Sequence, residues 1–182
     1  MLTSDEVERL TEAITATIAV PIVGSIEDYS WEAIFHYVKK IPLPDPTAGR
    51  TKLLHDAIDI RTKTGWSLKT IQLSNLNPGF TFQFVIQRAD IVTKASTLGF
   101  PGLTVDSPPA TLGEAIIEHW NQKLIQDCNL QGVTNSYEGI LCKKKNAIDY
   151  VYAEYPLTPL DPAQFSWNWS INRSTGKAGK GL

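Results

Sequence analysis

The stretch HDAIDIRTKTGWSLKTIQL, His55 to Leu73, holds two short apolar runs joined by a turn, with Asp59 on the first and Ser67 and Lys69 on the second. Side chains two apart on a strand share a face, so Ser67 and Lys69 point one way while Leu68 points into the core. A TKTG turn between the runs would bring Asp59 opposite them. A carboxylate beside an ammonium suits phosphodiester hydrolysis. The hard oxygen ligand holds Mg²⁺ against the scissile phosphate. The amine neutralises charge in the transition state or helps to orient and deprotonate the attacking water. One carboxylate is a thin site for Mg²⁺. Glu32, on a helix upstream, is the expected second metal ligand, and the backbone carbonyl of Leu68 a further one. Asp56 is the fallback for Asp59: the two lie three apart, so only one of them can face Lys69. The competing reading is an exposed cross-strand ion pair, which contributes about 0–1 kcal/mol.

The elements that must position these groups follow from the hydrophobic pattern. TSDEVERLTEAITATIAV opens on cap-like residues and carries Val7, Leu10, Ile14 and Ile18 at helical spacing. SWEAIFHYVKK is a second helix, with Ser30 as N-cap and Trp31, Ile34, Phe35 and Val38 as its apolar stripe. The proline-rich IPLPDPTAGR is a loop leading to the hairpin. FTFQFVIQR alternates strictly and predicts a strand that buries Phe80, Phe82, Phe84 and Ile86. TLGEAIIEHWNQKLIQDCNL is the strongest helix, capped by Thr111, with Leu112, Ala115, Ile116, Trp120, Leu124 and Ile125 inward. YEGILCKK and AIDYVYAEYPL are two strands around a Lys145-Asn146 turn. FSWNW is a short aromatic strand, followed by a basic, glycine-rich tail. This order predicts an α/β (α+β) fold with a central mixed sheet flanked by helices. It reads as a single domain over 1–182: an N-terminal helix at 1–20, a core at 30–130, and late strands with the tail at 137–182.

Composition narrows the function classes. At 182 residues the chain can bury a real core, and 42% hydrophobic with 20% charged residues is ordinary for a globular protein. The net charge of −2 gives no global sign of a polyanion partner, so any nucleic-acid contact must rest on local patches. The two cysteines, Cys128 and Cys142, lack metal-ligand spacing and fit a reduced, cytoplasmic setting. No apolar run reaches the length of a membrane span, and nothing calls for an organic cofactor.

The combination AIDI…GWSLKT resembles the PD-(D/E)xK nuclease signature, in which an Asp on one strand precedes an acidic-x-Lys on the next. The short gap, followed by TIQL, looks like the arrangement in mismatch-repair nicking endonucleases and some type II restriction endonucleases. An upstream helical glutamate is usual in that family, and Glu32 in SWEAIF falls where the pattern places it. YEGILCKKKNAIDYVYAEYPL followed by FSWNW looks, more weakly, like the late strands of such enzymes. The departure is Ser67, where the family pattern has Asp or Glu. The resemblance implies a restriction-endonuclease-like fold, Mg²⁺ as cofactor, double-stranded DNA as substrate, and action as a homodimer. It also implies that a second carboxylate comes from elsewhere in space.

DNA contacts are expected from the end of the chain. Asn168, Ser170, Asn172 and Arg173 on SWNWSINR suit base edges in the major groove, and Lys177 and Lys180 among glycines suit phosphates. The tail is not a P-loop, because the G-x-x-x-x-G-K-[ST] spacing is absent. In the resembled enzymes such a stretch leads into further sheet, so this chain reads as one that stops inside a hairpin. CKKKN reads as a solvated turn, Gln72 and Gln87 as ordinary sheet residues, and His55 as structural. The expected function is a Mg²⁺-dependent type II restriction endonuclease, with catalytic residues Asp59, Lys69, Glu32 and Ser67. The alternative, motivated by Ser67, is an inactive nuclease-fold protein that binds DNA.

Overall fold

The computed structural model of the chain describes residues 1–20, 26–43, 53–73, 88–144 and 148–169. They form two compact units. The first comprises Met1–Phe80 with Asp127–Leu157, the second Thr81–Gln126 with Thr158–Leu182.

The first unit begins with α1, Ser4–Ile18, whose start is a reciprocal cap. The Glu6 amide donates to the Thr3 hydroxyl at 3.3 Å, and the Thr3 amide donates to the Glu6 carboxylate at 2.8 Å. Leu10 and Ile14 are buried as their spacing predicts, but Val7 is exposed. Helix α2 spans Asp28–Lys39 and starts earlier than expected. Its N-cap is Glu27, and Ser30 lies inside the first turn rather than capping it. The helix stops at Lys40, which takes the left-handed conformation at φ 55°.

Four strands make one mixed sheet in the order β1-β2-β3-β4, which with the helices is an α+β fold. The strands are β1 (Ala57–Asp59), β2 (Thr64–Leu73), β3 (Asn135–Lys144) and β4 (Tyr150–Pro156). β1 is antiparallel to β2, β2 parallel to β3, and β3 antiparallel to β4. The two late strands expected from the sequence are therefore present, while the Lys145-Asn146 turn lies outside the described residues.

One face of this sheet carries the core. Ala57, Trp66, Leu68 and Leu141 pack with Leu10 and Ile14 of α1 and with Trp31, Ile34, Phe35 and Val38 of α2. Trp31 meets Phe35 edge-on at 5.4 Å, and Phe35 lies 5.5 Å from Trp66. The buried Trp31 indole donates to the Gly139 carbonyl at 3.2 Å, which ties α2 to β3. The other face holds Ser67, Glu138, Ile140 and Cys142, all buried. There the His55 ring lies so close to Gly65 that a Cβ at that position would come within 2.6 Å of it. His55 is held by Gln131 at 2.7 Å and Ser136 at 2.6 Å, the structural role expected of it.

The second unit contains α3, Arg88–Lys94, and most of α4, Pro109–Gln131. Thr111 lies inside α4, which opens on Pro109 as first-turn prolines allow. Ile91, Ala95, Leu98, Leu103, Leu112, Ala115 and Ile116 form its core, with Trp167 and Trp169 packed against them. Of the inward stripe expected along α4, Ile125 is exposed, and the unforeseen Ile117 is buried. The expected FSWNW strand does not form. A short 3-10 turn, Pro162–Gln164, leads into irregular chain. The Trp167 ring lies against Gly113, where a Cβ would come within 2.2 Å, so the ring is spent on helix packing instead of a sheet face. The strand expected at 80–88 falls outside the described residues except for Arg88, which opens α3. Among the described residues no helix is long and apolar enough to cross a membrane.

Trp31 is 1% exposed and joins two elements through its ring and its indole N–H. Trp31→Ala should cost about 3–5 kcal/mol of unfolding free energy in a denaturant titration; a loss well under 1 kcal/mol would contradict this packing.

Candidate active site

The site grows from the shortness of β1. This strand has only three residues, so it covers β2 from Thr64 to Trp66 and then ends. Alternate residues of a strand turn their backbone groups to opposite neighbours. Trp66 accepts from the Asp56 amide at 2.8 Å, so the next residue facing the same way is Leu68. Its N–H and C=O meet no strand on that side, and a backbone pair so placed needs other partners. Two side chains supply them. The Asp56 carboxylate accepts from the Leu68 N–H at 2.7 Å, and the Lys69 ammonium donates to the Leu68 carbonyl at 3.1 Å. An acid and an amine are thereby gathered around a single peptide.

The acid is Asp56, not Asp59. Residues opposite one another in a ladder share a face. Asp59 is paired with Thr64, and Ala57 with Trp66, so Asp59 belongs to the core-bearing face that Trp66 and Leu68 occupy. Ser67 and Lys69 lie on the other face. Lys69 is also five residues beyond Thr64 in the sequence, on the order of 17 Å along the strand at a strand's rise per residue. Asp59 instead binds Arg61, through its backbone N–H at 3.0 Å and its guanidinium at 3.1 and 3.2 Å. The hydrogen bond from the Arg61 side chain holds the Asp59 carboxyl below the usual carboxylate range, against the opposing effect of burial. The expected pairing of Asp59 with Lys69 is not formed.

Glu32 comes from the helix side. On α2, positions 28, 32 and 36 lie along one stripe, each about one turn from the next. Asp28 accepts a hydrogen bond from the Thr70 hydroxyl, and the His36 ring lies 3.2 Å from the Asp56 carbonyl. The half-buried Glu32 lies on α2 between Asp28 and His36, the two residues that bind Thr70 and the Asp56 carbonyl. Ser67 is buried and lies two residues before Lys69 on β2, so the two share a face as the strand pattern requires. Asn168 is exposed between Trp167 and Trp169 in the second unit. Ser170, Asn172, Arg173, Lys177 and Lys180 lie outside the described residues.

One group at this site is missing from the sequence analysis. Glu138 pairs with Ser67 across the parallel β2–β3 ladder, so its side chain shares the face of Ser67 and Lys69. It is 8% exposed, and among the described residues its carboxylate has no hydrogen-bond or ion-pair partner. Burial pushes its carboxyl above the usual range, while the charge of Lys69 pulls it back. Nothing in YEGILCKK marks Glu138 as special, because only the register of a parallel pairing more than sixty residues distant puts it there.

The donors gathered around the Leu68 peptide are hard oxygens, the Asp56 carboxylate and the backbone carbonyl. Among the described residues no three His, Cys, Asp or Glu side chains are grouped as a ready cation cage. Mg²⁺ is commonly bound through one or two carboxylates while it retains several waters, so the donor set fits that ion better than Zn²⁺ or Ca²⁺. In comparisons with protein-family models, curated proteins and solved structures, no match was found.

The Glu138 carboxyl binds its proton more tightly in the folded chain than in the unfolded one. Native stability is therefore lost as pH rises through the folded value. Glu138→Gln should raise the melting temperature relative to wild type at about pH 8 and change it least near about pH 4. Thermal scans across that range check this, and a variant less stable at the alkaline end contradicts it.

Proposed function

We propose that the protein is a Mg²⁺-dependent endonuclease acting on double-stranded DNA, of the type II restriction class, with Asp56 and Lys69 as its central catalytic pair. The observation that supports this reading is the capping of the Leu68 peptide by both side chains at the open edge of β2. Asp56, Ser67 and Lys69 keep the order of the PD-(D/E)xK pattern that the sequence resembles, with Asp56 taking the place expected of Asp59.

Asp56 and the Leu68 carbonyl would hold Mg²⁺, with Glu32 as a ligand from the helix side. The ion's role when bound is to draw charge from the scissile phosphate and its leaving oxygen. Lys69 acts from the exposed end of the site. Its ammonium lies beside the attacking water, orients it for in-line attack and stabilises the charge that builds on the phosphoryl oxygens. For Lys69 to turn to substrate it must release the Leu68 carbonyl, so the same oxygen becomes free to take a cation as the amine leaves. Ser67 contributes a small hydroxyl close to the phosphate. Two copies cutting one strand each would serve a twofold-symmetric DNA site, with each protomer supplying one catalytic centre. Asn168 and the basic residues at the chain's end are the proposed DNA contacts.

A second reading, a DNA binder without nuclease activity, is favoured by Ser67 standing where the family has an acid. Plasmid incubation with Mg²⁺ separates the two. Wild type should give discrete fragments. Asp56→Ala and Lys69→Ala should each slow cleavage by about 10²-fold or more, while Asp59→Ala cuts at close to the wild-type rate. Gel shifts without cleavage would support the binder, and equal damage from Asp59→Ala and Asp56→Ala would contradict the assignment of Asp56.

A further inference from the structure

We propose that Ser136, with His55 as its base and Gln131 orienting that base, is a nucleophile that takes the acyl group from small, unhindered carboxylic esters. This goes beyond the nuclease reading and does not rest on it. Ser136 and Gly65 are direct partners in the β2–β3 ladder, so both positions belong to one face of the sheet. The space that a side chain at position 65 would fill is taken by the His55 ring, 2.6 Å from where that Cβ would stand. The missing Cβ lets an imidazole lie on β2 beside Ser136. Its Nε2 comes 2.6 Å from the Ser136 hydroxyl oxygen, and its Nδ1 2.7 Å from Gln131 Oε1.

The hydrogen bonds fix where each proton sits. The Gln131 amide nitrogen donates to the His55 carbonyl at 3.1 Å, which turns Oε1 toward the ring. That oxygen only accepts, so Nδ1 carries the imidazole proton and Nε2 presents its lone pair. The Ser136 hydroxyl therefore donates to Nε2, and its oxygen keeps lone pairs for an electrophile. Nucleophile, base and orienting group stand within hydrogen-bond reach in that order, the arrangement that activates a hydroxyl. Cys128 also hydrogen-bonds Ser136, but burial pushes its thiol up, which leaves the serine as the nucleophile. His55 is buried and held from both ring nitrogens, whereas Ser136 is half-buried and within reach of a small reagent. In the reaction Ser136 Oγ bonds to the ester carbonyl carbon while its proton passes to Nε2. The bond from that carbon to the alkoxy oxygen then breaks, and the departing oxygen takes the proton. Water, giving its proton to the same Nε2, attacks the acyl carbon, and release of the acid restores Ser136.

Reaction of the full chain with p-nitrophenyl acetate and with a fluorophosphonate probe tests this. Peptide mapping by mass spectrometry locates the adducts, and circular dichroism checks folding. Wild type should carry both adducts on Ser136 and on no other serine. Ser136→Ala should fold and lose them. Gln131→Ala keeps the serine and the imidazole but no longer orients the ring, and it should slow labelling of Ser136 by about 10²-fold or more. His55→Ala should slow it at least as much; should that variant fail to fold, Gln131→Ala decides alone. A serine whose hydrogen bonds serve packing only would react no faster than the others, and Gln131→Ala would leave its rate unchanged. Either of those results, or an adduct on Cys128 in place of Ser136, overturns the proposal.

Discussion

A peptide at the edge of a sheet that loses its neighbouring strand must still satisfy its N–H and C=O, and at Leu68 two side chains do so. β1 ends after three residues. Beyond it, the carboxylate of Asp56 and the ammonium of Lys69 complete the hydrogen bonding that another strand residue would have provided. Had β1 continued past its pairing with Trp66, the Leu68 carbonyl would be spent in a ladder, with no reason for acid and amine to meet. The proposed chemistry therefore follows from an interruption in regular structure, which frees one backbone oxygen and surrounds it with charge.

The rest of the first unit holds that interruption in place. The aromatic packing of Trp31, Phe35 and Trp66 presses α2 onto one face of the sheet. His36, on the same helix, meets the Asp56 carbonyl, so the backbone that carries the acid is tied to the core. On the other face, His55 fills the space above Gly65 and is itself held by Gln131 and Ser136. Asp56 is thus fixed through both its carbonyl and its side chain. Lys69 keeps an exposed position from which it can exchange the carbonyl for a substrate. This division suits a site in which ligands stay fixed and the amine moves.

Much of this was legible in the sequence. The α1 cap at Thr3, the buried stripe of α2, the hairpin, the two late strands and the shared face of Ser67 and Lys69 all follow from short-range periodicity. What failed depended on parity or distance. Asp56 and Asp59 are three apart, and a four-residue turn always sets Asp59 against an even-numbered residue, off the face of Ser67 and Lys69. The turn takes Ile60 to Lys63, two residues before TKTG, and pairs Asp59 with Thr64. Ser30 resembles a cap, yet α2 reaches back to Asp28 because the chain before Trp31 is already helical. FSWNW reads as a strand because aromatic residues alternate in it, but Trp167 packs on Gly113 of α4. Glu138 was invisible because its neighbour Ser67 is set by a parallel ladder through a long crossover, which no local pattern records.

The central claim is that the Leu68 carbonyl and Asp56 form a cation seat that Lys69 vacates. Anomalous scattering from a crystal of the protein soaked in Mn²⁺ tests it most directly. The account predicts a peak within about 2.5 Å of both the Leu68 oxygen and an Asp56 carboxylate oxygen, with the Lys69 ammonium moved off that carbonyl. A peak at Asp59 on the opposite face, or Mn²⁺ bound elsewhere while Lys69 still caps Leu68, would contradict it.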